Sequence, residues 1–420
     1  MKKKEKANKI LIVTKNTKNA NYKNTYCFLY IVRIRWIMKI TQLFKIYWPD
    51  NGGGIAKVME SIAQGFTDCE QEIIVCQNSG HKKCTQDSYQ GIPVRRCRQL
   101  FDLLSTPISL QFLYDVKKRT KDSDIVIYHF PYPMADLAVL FGLYSGKLVV
   151  WWHCGFEKYE KIAPLYRPLV LHTLKKADRI LVSSKGNIKN SKTLRQFRKK
   201  CSVIPFCVSD ECLRRGKAFA QNRSVQKNKN DNCICILFIG RLVWYKGCDI
   251  LLKAYAAMQQ PYQKECSLVL VGSGPLEQEL KNLAASLRLR NVTFTGMVSE
   301  EEKMKRIEQC DFLVLPSISK AEAFAVVQLE AMAFGKPVIN TALDSGVPYV
   351  SVDGVTGKTV TPGSIRELAS AMEELAENER LRLKYGQQAL SLIQKEYTHD
   401  RLIKRHRNVF EQLVHSDTTG

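Results

Sequence analysis

Glu322 and Glu330 lie in the segment Ser319-Lys320-Ala321-Glu322-Ala323-Phe324-Ala325-Val326-Val327-Gln328-Leu329-Glu330-Ala331-Met332-Ala333-Phe334-Gly335-Lys336-Pro337. The apolar run 312–315 before it reads as a strand closed by Pro316. A helix is expected to start near Ala325 and to stop at Gly335, with Pro337 blocking continuation. Glu322 then sits in a loop at the carboxyl end of a strand, where open α/β sheets bind ligands. Backbone N–H groups of Phe324, Ala325 and Val326 at the helix start suit a phosphate. Glu330 follows roughly 7–9 Å along the helix axis at about 1.5 Å per residue. That offset would place one carboxylate at a sugar and the other at a ribose, with a diphosphate between them. An arbitrary glutamate pair at this spacing is more often the solvent face of an amphipathic helix.

Three further elements carry chemistry of the same kind. Gly240-Arg241-Leu242-Val243-Trp244-Tyr245-Lys246-Gly247 follows an apolar run at 234–239. Arg241 offers a bidentate fork and Lys246 a point charge, and both can converge on a diphosphate and neutralise a leaving nucleotide without a metal. Pro49-Asp50-Asn51-Gly52-Gly53-Gly54-Ile55 offers Gly53 and Gly54 for close backbone approach to a ligand. His153 ends the run Trp151-Trp152-His153-Cys154-Gly155. Each has a plainer reading: an exposed loop for the cations, a tight turn for the glycines, a satisfied structural imidazole for His153.

The elements around these residues alternate between short apolar runs and amphipathic stretches, the pattern of βαβ units. Strands are expected at 40–44, 72–76, 124–128, 147–151, 179–183 and 202–204. After a polar stretch the alternation restarts, with strands at 234–239, 267–271, 292–295, 312–315 and 338–340. Helices are expected at 55–64, 164–176, 249–258, 276–287, 300–309, 325–334 and 400–414. The domain reading is an extension over 1–37, non-native or disordered, with Met38 as an alternative start. An acceptor-side Rossmann-like domain over 38–206, a linker over 207–232 and a donor domain over 233–395 follow. A terminal helix over 396–420 is expected to pack back on the first domain. Asp122-Ser123-Asp124 precedes its strand and reads as a turn rather than a metal motif. Gly272-Ser273-Gly274-Pro275 lacks the third glycine of a dinucleotide fingerprint.

The segment from Glu322 to Pro337 resembles the E-x7-E signature of glycosyltransferase family 4, including the closing Glu-Ala-Met-Ala-x-Gly-x-Pro-Val. The likeness extends over nearly all of 38–415 and is strongest to bacterial mannosyltransferases of surface polysaccharide synthesis. It implies an α/β fold of the GT-B type, two Rossmann-like doubly wound domains facing a central cleft. It also implies retention of anomeric configuration and no metal or other cofactor. Glu322 inherits the donor-sugar contact and Glu330 the ribose hydroxyls. Arg241 and Lys246 match the paired phosphate residues, Gly53 and Gly54 the N-terminal glycine loop, and His153 the active-site histidine. The family usually has Gly where Ala325 stands, so a methyl group is expected to crowd the sugar. The related mannosyltransferases continue after the histidine with Ser-Asp, replaced here by Cys154-Gly155. The resemblance implies a nucleotide-sugar donor, GDP-mannose first, and a lipid-linked or oligosaccharide acceptor. The alternatives are a UDP-sugar-dependent transferase, or an epimerase or hydrolase of the same fold.

Composition bounds the rest. The 420 residues suit two domains, and 45% hydrophobic with 25% charged residues is the balance of a globular chain. No run reaches the roughly 18 apolar residues of a membrane span, and no signal-peptide pattern is present. The 14 cysteines show no zinc spacing. A cytoplasmic protein, peripheral at the inner face of the membrane, is expected. The net charge is +24, and residues 38–205 hold 26 basic against 14 acidic residues. No nucleic-acid-binding module accounts for that excess, and an anionic membrane surface is the expected partner. Residues 187–200 are expected to form one basic amphipathic helix at that surface. Lys189, Lys192, Arg195, Arg198, Lys199 and Lys200 would be its cations, and Ile188, Leu194 and Phe197 its apolar side.

Overall fold

A computed structural model describes residues 10–17, 26–33, 37–50, 53–77, 83–103, 106–153, 155, 163–221, 233–258 and 266–415. Strands Ile10–Thr17 and Tyr26–Arg33 pair antiparallel in a sheet of their own. Regular structure therefore occurs within 1–37, where the sequence suggested none.

The first large sheet has eight strands. Across the sheet they run Cys201–Val203, Arg179–Val182, Lys147–Trp152, Ile125–Phe130, Lys39–Leu43, Glu70–Cys76, Ile92–Cys97 and Thr85–Tyr89. All neighbours are parallel except the last pair. The second sheet has six parallel strands in the order Val292–Gly296, Cys266–Val271, Ile234–Ile239, Phe312–Val314, Val338–Thr341 and Gly357–Val360. In each sheet the chain enters at an inner strand, winds outward one way and returns to wind the other. A crevice opens where the order reverses. In the first sheet it lies between Lys39–Leu43 and Ile125–Phe130. In the second it lies between Ile234–Ile239 and Phe312–Val314.

Strands of both sheets read as unbroken apolar runs because they are covered on both faces. Ile125–Phe130 is buried at every position. Leu43, Val126, Tyr128, Val150 and Val182 pack into one cluster of the first sheet; Ile40, Ile127, Val149 and Leu181 pack into another. Sequence patterning missed Ile92–Cys97, whose buried Val94 and Cys97 are interrupted by Arg95 and Arg96, and two edge strands. Thr85–Tyr89 is an exposed polar edge strand, turned into Ile92–Cys97 through Gln90 and Gly91, both at positive φ. Gly357–Val360 spans only four residues at the opposite sheet's edge.

In two polar segments a few apolar side chains anchor the chain to a core. The stretch read as linker, 207–232, contains helix Asp210–Gln221, and its residues 222–232 lie outside the described residues. Cys212 and Leu213 of this helix pack with Leu237, Ile307 and Leu329 of the second domain. A side chain at Gly216 would meet the Ala333 carbonyl. The span 187–200 is not one helix but Lys185–Asn190, Lys192–Gln196 and a 3-10 turn at Arg198–Lys200, broken at Ser191, which is extended. Leu194 is fully buried, and Ile188 and Phe197 pack against the same core. Lys200 Nζ donates to the Lys175 and Ala177 carbonyls at 2.6 and 2.7 Å. With its apolar side turned inward, this segment has none to offer a bilayer.

Helix His399–His415 lies across the first domain. Leu402, Phe410 and Leu413 join Met38, Ile40, Val58 and Phe66 in one cluster. Trp151 Nε1 donates to His406 Nε2 at 3.1 Å, and Arg407 forks onto Asp68 at 2.7 and 3.2 Å. This crossing ties the chain's last helix to the sheet that bears His153. Asp122–Asp124 serves as a turn: Asp124 Oδ2 accepts from Lys39 N at 2.9 Å, and Ser123 and Thr41 hydroxyls meet at 2.7 Å.

Candidate active site

The loops after Ile234–Ile239 and Phe312–Val314 flank the second sheet's crevice and carry Lys246 and Glu322. Lys246 closes a 3-10 turn, Trp244–Lys246, which Gly247 ends in the left-handed region at φ +66°. A Cβ at Gly247 would lie 2.2 Å from the Pro316 carbonyl, so only glycine lets the two loops touch. Lys246 Nζ forms an ion pair with Glu322 Oε2, and the Ser317 hydroxyl donates to the same oxygen at 3.2 Å. Both charged residues are buried. Buried charges are stable only when paired and hydrogen-bonded, and this pair meets both conditions. Gly272 supports the loop from behind. At φ +129° it approaches Gly240, and Leu242 N donates to the Ser273 carbonyl at 3.0 Å. The glycine pair at 272–274 thus shapes the cation-bearing loop. Arg241 lies in that loop and is exposed.

Helix Val326–Ala333 starts directly after this pair. Its N-cap, Ala325, adopts φ +58°, ψ 78°, and no side chain caps the first turn. The first N–H groups of a helix have no intrahelical partner, so this end suits an anionic ligand. The left-handed backbone explains why glycine would be favoured there. The Ala325 methyl, expected from the sequence to crowd the sugar, has apolar neighbours of its own. It packs among Leu315, Leu343 and Val347. Phe324 is buried against Phe206 (ring centroids 5.0 Å, edge-on). Phe206 in turn stacks on Trp151 at 5.1 Å and on His153 at 6.1 Å. One aromatic series therefore joins the donor-side loop to the strand end of the other domain.

Glu330 is half-buried on the same helix, where Lys303 Nζ donates to its Oε1 at 2.9 Å. Lys303 also meets Glu300 at 2.7 Å, and Glu300 meets Lys57 at 3.1 Å. Lys57 belongs to helix Gly54–Gly65 of the first domain, whose N-cap is Gly53. An added Cβ at Gly54 would meet nothing within 4 Å. Asn51 and Gly52 of that loop lie outside the described residues. A four-residue ion chain thus links the glycine-loop helix to Glu330.

His153 follows Lys147–Trp152 and is buried. Its ring lies parallel to Trp151 at 4.5 Å, and its Nε2 is 2.9 Å from His129 Nδ1. Burial holds its pKa down to about 3, so the ring is neutral. Cys154 lies outside the described residues.

The structure thus joins Glu322 with Lys246 and sets Phe324, Ala325, Val326 and Glu330 along one helix start. It places His153 across the aromatic contact. Sequence reading missed His129, Gln42, Phe206, Lys303 and Lys57. The one available signal was His129, an ionisable residue in an otherwise apolar buried strand. Its partner and that of Lys303 come from other elements, which no local pattern shows.

Two doubly wound, mostly parallel sheets, each in a domain of its own, are the architecture of the GT-B class of fold. The chain belongs to glycosyltransferase family 4: residues 52–211 match Glycosyltransferase Family 4, and residues 220–391 match Glycosyl transferases group 1. It is 32% identical to O-antigen chain mannosyltransferase C of Escherichia coli, over 90% of this chain and 100% of that one. It is 30% identical to the D-rhamnosyltransferase WbpZ of Pseudomonas aeruginosa, over 84% and 90%. The crystal structure of Anabaena Alr3699/HepE in complex with UDP has the same fold. Its TM-score is 0.69 at 19% identity, covering 89% of this chain and 100% of that one.

Proposed function

We propose that this glycosyltransferase moves mannose from GDP-mannose, with retention of configuration, to a lipid-linked or oligosaccharide acceptor in surface polysaccharide synthesis. The observation that carries this reading is the likeness to O-antigen chain mannosyltransferase C over that protein's whole length. The site supplies matching chemistry. Glu322 would contact the transferred sugar, and Lys246, which pairs with it, would neutralise charge on the leaving diphosphate. Val326 and its neighbours offer N–H groups to the same diphosphate, and Glu330 takes the ribose hydroxyls. No step of this scheme calls on a metal.

The test is transfer from radiolabelled GDP-mannose, GDP-rhamnose, UDP-sugars and dTDP-rhamnose to a lipid-linked acceptor, with and without excess EDTA. Label from GDP-mannose in the acceptor, undiminished by EDTA, is expected. Transfer only from a UDP-sugar, donor consumption with no acceptor product, or loss on chelation restored by Mn²⁺ would each overturn its part of the reading.

Reaching a lipid-linked acceptor calls for a membrane-facing surface, and one unit of the first domain has the character of one. Phe101 and Leu103 are exposed on the strand pair Phe101–Leu103 and Thr106–Ile108, and Leu100 is exposed just before it. Leu110 and Tyr114 are exposed on the helix Leu110–Arg119 that follows, together with Lys117 and Lys118. Apolar side chains beside lysines complement an anionic bilayer. Sedimentation with vesicles should rise with phosphatidylglycerol content and fall when Phe101 and Leu103 become Ser. Equal binding to neutral and anionic vesicles, or none, would overturn the docking.

A further inference from the structure

Three neighbouring strands of the first sheet carry a polar chain through an apolar interior. Gln42 lies on Lys39–Leu43, His129 on Ile125–Phe130, and His153 follows Lys147–Trp152. All three are buried. Gln42 Nε2 donates to the Met59 carbonyl at 3.1 Å, Gln42 Oε1 faces His129 Nε2 at 2.9 Å, and His129 Nδ1 faces His153 Nε2 at 2.9 Å.

The proton positions follow in order from one fixed end. A backbone carbonyl only accepts, so the Gln42 amide nitrogen must face Met59 and its oxygen must face His129. That oxygen only accepts, so His129 Nε2 carries a proton. Burial drives the His129 pKa well below its usual value, so its ring is neutral and Nδ1 keeps a lone pair. Two facing ring nitrogens need one proton between them, and it therefore sits on His153 Nε2. His153 is neutral as well, and its Nδ1 is left as an acceptor.

We propose that Gln42 and His129 are positioning residues that hold His153 as its Nε2–H tautomer, so that Nδ1 accepts a hydrogen bond from a hydroxyl of the transferred sugar. The carbonyl of Met59 is the anchor, and the signal passes through two side chains that touch no substrate. The opposite tautomer would present an N–H to the same site and would bond a hydroxyl only through its oxygen. It would also set two lone pairs against each other at 2.9 Å. The ring plane is fixed independently by Trp151 and Phe206, so the relay sets the proton and the aromatic contact sets the angle. The sugar contact rests on the transferase reading above; the tautomer does not.

Long-range ¹H–¹⁵N spectra of the full chain with ¹⁵N-histidine decide the tautomer without any donor. His153 is expected to show a protonated Nε2 and a bare Nδ1 at pH 7.5. A protonated Nδ1 would overturn the relay. Kinetics then test its use. Gln42→Leu removes the acceptor that orients His129, and His129→Phe keeps the ring but removes both nitrogens. Each should lower kcat about 10- to 100-fold, the range for a misplaced site group. The nucleoside diphosphate Kd should stay within about twofold in both. In His153→Phe background neither change should lower kcat further. Unchanged kcat in folded Gln42→Leu with the tautomer intact would overturn the positioning role. An inactive wild-type protein would count against the transferase reading and leave the spectra to decide the tautomer. If Gln42→Leu does not fold, His129→Phe and the wild-type spectra carry the test.

Discussion

Lys303 Nζ stands 2.9 Å from Glu330 Oε1 and 2.7 Å from Glu300 Oε2, and so holds the carboxylate assigned to a ribose before any nucleotide arrives. Burial alone would lower the lysine's pKa; the two carboxylates beside it outweigh burial and raise it. On the proposed assignment, a ribose would share Glu330 with this lysine or displace it toward Glu300.

Glu330→Ala should therefore weaken binding of the nucleoside diphosphate by about 10- to 100-fold, the loss of charge-assisted hydrogen bonds of about 1.5–3 kcal/mol. Because that contact persists from ground state to transition state, kcat should change little. Calorimetry with GDP and initial rates give both numbers. Unchanged GDP affinity would remove the ribose assignment.

Glu322→Gln keeps the shape of the side chain and removes its charge from Lys246. Turnover is expected to fall about 100-fold or more, the scale of losing an electrostatic group aimed at the reacting centre. GDP affinity should hold or rise, since Lys246 is then free of its carboxylate partner. Folding should be preserved, as circular dichroism can verify. A variant with normal turnover and weakened GDP binding would contradict the arrangement.

Ala325→Gly tests the direction of the methyl. Glycine relieves a left-handed backbone strain of about 1–2 kcal/mol. It also loses roughly 0.5–1 kcal/mol to chain entropy and about 0.8 kcal/mol of buried methyl. The midpoint of thermal unfolding should therefore move little, and the donor KM should not improve, because the methyl packs on Leu315, Leu343 and Val347. A clear fall in donor KM would mean that the methyl meets the sugar. Ala325→Val should destabilise strongly, since a β-branched residue tolerates this backbone poorly.

Acid should destabilise the protein below about pH 6.5. Burial lowers the pKa of His153 to about 3 and of His406 to about 4, and lowers His129 as well. The unfolded chain takes up these protons first, so stability present above pH 6.5 is lost as the pH falls toward the folded values. Asp136 acts the other way: burial raises its pKa to about 6, so it costs stability as the pH rises from 3.8 to that value. Three histidines outweigh one aspartate, at about 1.4 kcal/mol per pH unit for each unopposed group. The thermal midpoint should drop steadily between pH 7 and 5, and less steeply in His406→Gln, whose amide oxygen can still accept from Trp151 Nε1. A flat profile would show that these rings are not held neutral.

The sequence by itself determined what depends on neighbours along the chain. Alternating apolar runs specified the doubly wound halves because strands covered on both faces are mostly apolar. Strand, loop and helix signals placed Glu322, Lys246 and His153 at carboxyl strand ends, and Ile234–Ile239 and Glu300–Gln309 fall where patterning put them. Tertiary structure alone decided what depends on residues brought together from afar. The 187–200 segment has the spacing of an amphipathic helix, yet its apolar side is claimed by the core, because burial of Leu194, Ile188 and Phe197 outweighs a continuous helix. The left-handed φ of Ala325 and its packing among Leu315, Leu343 and Val347 are likewise properties of the folded loop, against the residue's own backbone preference. His129 looks in sequence like one polar residue in a buried strand. Only the register of Ile125–Phe130 between its neighbours sets it 2.9 Å from both Gln42 and His153. Hydrogen bonding needs positions fixed to tenths of an ångström, and between separate strands only packing fixes them.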